Sequence, residues 1–187
     1  MDFELIRSDR KTLSAEIRNG RLLVRAPRYA SRDEIARFIM QNRPWIEKHM
    51  EKAVAAEKEK EGIRKLSTEE IRSLAEKACE TIPQRVAYFA GKVGVTYGRI
   101  TIRLQRTRWG SCSSKGNLNF NCLLMLTPPE VLDSVVVHEL CHRKEMNHSR
   151  RFYAEIAKVI PDYAARRKWL KENGGRILAM VVTQAPE

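Results

Sequence analysis

The apolar positions change period several times along the chain, and each change marks an element. Residues 3–25 read as strands: FELIRS, then TLSAEIR and RLLVRA on either side of Asn19-Gly20, a dipeptide suited to the positive φ angles of a tight hairpin turn. Leu13, Ala15 and Ile17 alternate with polar residues, the period of a half-buried strand. Pro27 closes this sheet. A helix is predicted from Ser31, with acids in its first turn where the helix dipole favours negative charge. Pro44 starts a second helix with Trp45 and Ile46 facing inward, and EKHMEKAVAAEKEKEG continues it as a solvated helix to Gly62. That stretch is the expected boundary between an N-terminal annex, residues 1–62, and a domain over 63–187. His49, with no ligand near it in sequence, reads as a surface histidine.

A helical period returns after the capping box Ser67-Thr68-Glu69-Glu70, with Ile71, Leu74, Ala75 and Ala78 on one face. Pro83 is expected to bend or interrupt this helix, because proline removes an amide donor and crowds the preceding turn. From Tyr97 the period is two. Ile100, Ile102 and Leu104 alternate with polar residues, the loop QRTRWGSCSSKGN follows, and Leu118, Phe120, Cys122 and Leu124 then alternate with Asn117, Asn119 and Asn121.

The next helix starts legibly, with Thr127 as N-cap, Pro128 at the first helical position, Glu130 completing a capping box, and Leu126 stapled to Val131. Ser149 caps another helix that buries Phe152, Ile156 and Val159 and stops at Pro161. Asp162 caps a last one, ending at Asn173-Gly174-Gly175, and RILAMVVTQAPE reads as a short strand or a loose tail. The class is α+β.

The helix after Pro128 carries the chemistry. His138-Glu139-Leu140-Cys141-His142 is an H-E-x-x-H arrangement, in which two imidazoles four apart lie on one helical face and reach one metal. Glu139 then reaches a metal-bound water without being a ligand. Val131 and Val135 share the stripe of the two histidines, so the imidazoles are expected to point inward. H-E-x-x-H alone has real false positives, but a third histidine, His148, follows at a usable distance and completes the three protein ligands of a catalytic zinc. His148 has the metzincin spacing from His138, yet Glu145 stands where metzincins have glycine and no Met-turn is evident, which argues against that group. An extended peptide could pair with the strand bearing Asn117, Asn119 and Asn121, and Arg106, Arg108 or Tyr153 are the candidates for stabilising an oxyanion.

Composition narrows the setting. The formal net charge is +12, from 35 basic and 23 acidic residues, so nucleotides, nucleic acid or acidic proteins are possible partners, although the acids are interleaved throughout. No apolar run approaches the roughly 20 residues of a bilayer span, and the first residues lack an apolar signal core, so no membrane is expected and a cytoplasmic address is. Cys79, Cys112, Cys122 and Cys141 form no C-x-x-C pair and read as free thiols, with Cys141 packed rather than metal-bound.

The runs RWGSC at 108–112, GNLNFNCLLMLTPPEVLDSVVVHELCH at 116–142 and KEMNHSRRFYAEIAKVIPDYAARRKWLKENG at 144–174 resemble the YgjP-like family of zinc metallopeptidases, which is akin to the SprT and WLM proteases. The N-terminal hairpin and the PWI helix fit the same pattern. The resemblance implies a zincin-like catalytic domain with a small antiparallel sheet packed on helices, zinc at His138, His142 and His148, and catalysis by Glu139. The expected activity is zinc-dependent hydrolysis of a peptide bond, with Glu139 as general base. A nucleoside triphosphate (UTP) pyrophosphatase is the alternative that some relatives suggest. A nucleic-acid-associated module with a structural zinc is the second.

Overall fold

A computed structural model describes residues 2–18, 20–60 and 62–181. The chain divides into two compact units, Met1–Ile63 and Arg64–Glu187.

The first unit is a three-stranded sheet with two helices. Strands β1 (Phe3–Ser8), β2 (Ser14–Arg18) and β3 (Arg21–Pro27) lie in the order β1-β3-β2, with β2 and β3 antiparallel and β1 parallel to β3. Gly20 takes φ +69° in the β2–β3 turn, while Asn19 lies outside the described residues. Leu22, Val24 and Ala26 of the central strand form a buried cluster with Ile35 of α1 (Arg32–Gln41) and Ile46 of α2 (Arg43–Lys60). Ser31 caps α1 with a complete capping box. Trp45 departs from the expected inward position: it is 42% exposed and stacks on His49 at 4.2 Å. One turn of helix places both rings on the outer side, since only Ile46 of this turn faces the sheet.

The second unit is built around a helix buried on nearly all sides. Helix α3 (Thr68–Val93) begins with the Ser67–Glu70 capping box and ends at Gly94 in the left-handed conformation. Pro83 does not interrupt it. Burial of Ala78, Ile82, Val86, Phe89 and Ala90 along one face outweighs the loss at a single proline, which costs roughly 3 kcal/mol in a helix interior. Strands β4 (Ile100–Arg103), β5 (Gly110–Cys112) and β6 (Leu118–Asn121) form a second sheet in the order β4-β6-β5. The sheet is mixed rather than antiparallel: β4 runs parallel to β6, and β5, formed within the glycine- and serine-rich loop, is antiparallel to it. The alternating run after β6 turns into a 3-10 helix over Cys122–Leu126, with Cys122, Leu123 and Leu124 buried.

Helix α4 (Pro129–Cys141) starts one residue later than expected. The residue before a proline is driven out of the helical region, and Pro129 holds Pro128 at φ −53°, ψ 142°. Thr127 instead donates its hydroxyl to the Leu124 carbonyl at 2.7 Å, serving the 3-10 turn, and no capping box or staple forms; Leu126 is 37% exposed. Helix α4 packs against α3, β5, α5 (Arg150–Val159) and α6 (Tyr163–Ala179). Arg85 of α3 grips Asp133 of α4 through two hydrogen bonds of 2.7 and 2.6 Å. Helix α6 passes through Asn173-Gly174-Gly175 without stopping, so residues 176–179 are helical; residues 182–187 lie outside the described residues. A Cβ on Gly174 would sit 3.0 Å from the Trp109 ring, so this glycine serves close packing and not termination.

Candidate metal centre

His138 and His142 stand on the last turn of α4, and His148 follows on the short link to α5. The helix ends without a left-handed glycine, because the amides of Arg143, Lys144 and Glu145 bond back to Leu140 and Cys141 carbonyls at 3.0 Å. Ser149 then caps α5 by accepting from the Phe152 amide, and this sets His148 one residue before a rigid helix start. The outcome is three imidazoles whose coordinating nitrogens all lie within 4.8 Å of one another. His138 Nε2 and His148 Nε2 are 3.0 Å apart. Two nitrogens held tetrahedrally at about 2.0 to 2.1 Å from one zinc stand about 3.3 Å apart, so the pair has the spacing of shared ligands.

The tautomers fit as well. His138 Nδ1 meets the Tyr163 hydroxyl at 2.7 Å and His142 Nδ1 meets the Glu145 carbonyl at 3.2 Å, which leaves both Nε2 atoms for a metal. Glu145, the residue that breaks the metzincin pattern, contributes its backbone and not its side chain. Phe152, fully buried, lies 4.8, 4.6 and 4.9 Å from the His138, His142 and His148 ring centres and supports all three. Burial pushes the His138 pKa down to about 3, helped by the neighbouring histidines and Arg167, and burial lowers His142 too. Neutral imidazoles are the form a metal takes.

Glu139 is 5% exposed and is pushed up to about 8 by burial alone. It lies flat against β5: a Cβ on Gly110 would come within 2.7 Å of Glu139 Oε1 and 2.8 Å of its Cγ. The Gly110 of RWGSC is thus the space in which the carboxylate sits. Burial also raises Tyr163, to about 12, so its phenol stays protonated beside His138. His138 and Glu139 form one wall of a cleft of about 280 Å³, closed by Thr107–Gly110 on one side and by Tyr163, Arg167 and Leu170 of α6 on the other.

The residues expected at a substrate site do not all meet here. Arg108 lines the cleft. Tyr153 packs beside it, 6.4 Å from His148 and 6.3 Å from Tyr163 between ring centres. Arg106 is exposed on the same loop. Asn117, Asn119 and Asn121 are committed to the sheet. Asn117 accepts from the Arg99 amide, Asn119 donates to Ser111, and buried Asn121 donates to the Gln105 and Arg108 carbonyls and accepts from the Leu123 amide. Strand β6 is also central, paired on both sides, so it has no free edge for a peptide. The outer strands are β4 and β5, and β5 is the one that lies against Glu139. Apart from the RWGSC run, nothing local in the sequence marks Gly110, Phe152, Tyr163 or Arg167 as site residues, and no local signal makes a tyrosine 25 residues beyond His138 its partner.

The family model of the YgjP-like metallopeptidase domain matches residues 51–173. The chain belongs to the YgjP-like metallopeptidase family. The match contains the three histidines and Glu139, and it reaches from the latter part of α2 into α6. Two solved metallopeptidase zymogens are similar to part of this YgjP-like chain. Abylysin of Pyrococcus abyssi is 20% identical over 49% of this chain and 94% of its own, with a TM-score of 0.44. Jannalysin of Methanocaldococcus jannaschii is 19% identical over 49% and 95%, also at 0.44. A comparison with curated proteins finds no match. No helix among the described residues is long and apolar enough to cross a membrane.

Proposed function

We propose that the protein is a zinc-dependent peptidase whose catalytic domain is residues 63–187 and whose general base is Glu139. The observation that carries this reading is the convergence of His138, His142 and His148 beside a buried carboxylate that opens onto a cleft. Three nitrogen donors favour zinc over magnesium, which prefers oxygen ligands. His138, His142 and His148 would hold the zinc, which when bound would supply an acidified water and polarise the carbonyl under attack. Glu139 takes the proton of the attacking water and passes it to the leaving amine. Its burial keeps the base protonated until a cation is near, and the positive charge then favours the carboxylate. The open edge of β5 supports binding of an extended substrate strand next to Glu139, with main-chain hydrogen bonds giving affinity. Tyr163 holds His138 in the tautomer that leaves Nε2 free.

The test uses zinc-loaded wild type and Glu139→Gln, assayed on an unfolded protein and on a panel of nucleoside triphosphates. Retained zinc with peptide cleavage reduced by at least about a thousandfold supports the base assignment. Triphosphate cleavage without peptide cleavage would sink it.

A further inference from the structure

The cleft contains two cations that this chemistry does not use. Arg108, from the loop before β5, and Arg167, from α6, line it together with His138 and Glu139. Among the described residues neither guanidinium is in an ion pair, whereas Arg166, the neighbour of Arg167, is occupied by Asp162 at 2.9 Å and by the Glu130 carbonyl at 3.0 Å. Arg167 is held over the Tyr153 ring, with its guanidinium carbon 5.7 Å from the ring centre. Among the described residues, the sole carboxylate lining the cleft is Glu139, which is buried. Trp109, Val135 and Leu170 give the wall an apolar part, beside Thr107, Ser134 and Tyr163.

We propose that Arg108 and Arg167 form an anion subsite beside the reacting centre, selecting peptides that carry a carboxylate next to the bond cleaved. The proposal rests on the peptidase reading above. The carboxylate comes either from an aspartate or glutamate side chain or from the C-terminus of a short peptide. Two arginines facing one cleft suit a single compact anion, which guanidinium binds with paired hydrogen bonds. A nucleic-acid strand would call for cations spaced along a track. The apolar part of the wall adds a bulky apolar neighbour to the preferred sequence.

The experiment compares internally quenched peptides of one neutral core, C-terminally amidated, carrying Glu, Gln or Lys on either side of the cleavage point. A second arm compares the free acid and the amide of the Gln peptide. Zinc-loaded wild type, Arg167→Glu, Arg108→Glu and Arg167→Lys are assayed, and the readout is the ratio of kcat/KM for acidic over basic peptide within each protein. The expected ratio is about tenfold or more in wild type, partly kept in Arg167→Lys, and about one or inverted in each charge reversal. The arm that carries the ratio identifies the source of the carboxylate. The same peptides are titrated onto zinc-loaded Glu139→Gln by fluorescence anisotropy, where no turnover is needed. If wild type cleaves no peptide but this variant still prefers the acidic ones, the peptidase reading falls and the subsite stands. Equal ratios in both arms, a preference untouched by both reversals, or binding of a single-stranded oligonucleotide that the reversals abolish while peptides bind alike overturns the subsite. The two arginines lie on different elements, so one variant that fails to fold leaves the other decisive.

Discussion

Glu139 and His138 are adjacent in sequence and are driven in opposite directions by the same burial. Between about pH 4.5 and 8 the folded, metal-free chain holds a proton on Glu139 that the unfolded chain has released, so stability falls as pH rises through that window. His138 acts the other way: its pKa lies below the unfolded value of 6.5, and stability is lost as pH falls from there toward 3. Glutamine cannot ionise. Metal-free Glu139→Gln is therefore expected to match wild type near pH 4.5 and to exceed it progressively up to pH 8, by about 1.4 kcal/mol per unit at most, which urea unfolding across pH will read. Tyr163→Phe removes the partner of His138 Nδ1 while leaving the ring in place. Its zinc affinity is expected to fall about 10- to 100-fold, with unfolding of the metal-free protein little changed, as competition with a chelator will show.

The elements around α4 hold these side chains in register. Strand β5 matters most, because only a residue without a Cβ allows it to lie against Glu139. Gly110→Ala is expected to displace the carboxylate, lowering kcat by about 10- to 100-fold with zinc stoichiometry intact and costing about 1 to 3 kcal/mol in stability. Unchanged kcat would show that Glu139 does not work from the position seen. Asn121 holds the loop that precedes β5 through two carbonyls, which explains how a short strand of three residues stays in place.

On the proposed function, metal would link the site to the stability of the chain. Zinc would bind the folded arrangement, so removing it with a chelator is expected to lower Tm. The loss at zinc one hundred times its Kd corresponds to about 2.7 kcal/mol. At pH 7 burial leaves His138 neutral and Glu139 protonated, so metal binding should release about one proton more from wild type than from Glu139→Gln. Calorimetric titration in two buffers of different ionisation enthalpy measures that proton directly. Equal release by both proteins would show that Glu139 is ionised before the metal arrives.

Much of this was readable in the chain itself, wherever the cause is local. The histidine spacing, the Ser31, Ser67 and Ser149 caps and the alternation in β1–β3 all depend on contacts within a few residues. The misplacements have a different origin. Pro83 stays inside a helix and Gly174 does not end one, since burial against distant residues outweighs their local preferences. Two further site features are decided only in three dimensions: Tyr163 as partner of His138, and Gly110 as the seat of Glu139. The order β4-β6-β5, which leaves β5 at an edge and commits the asparagines of β6 to hydrogen bonds within the fold, also required tertiary packing, because pairing between strands depends on partners separated by loops. Helical spacing aligned His138 and His142 in the sequence, and the folded chain determined what surrounds them.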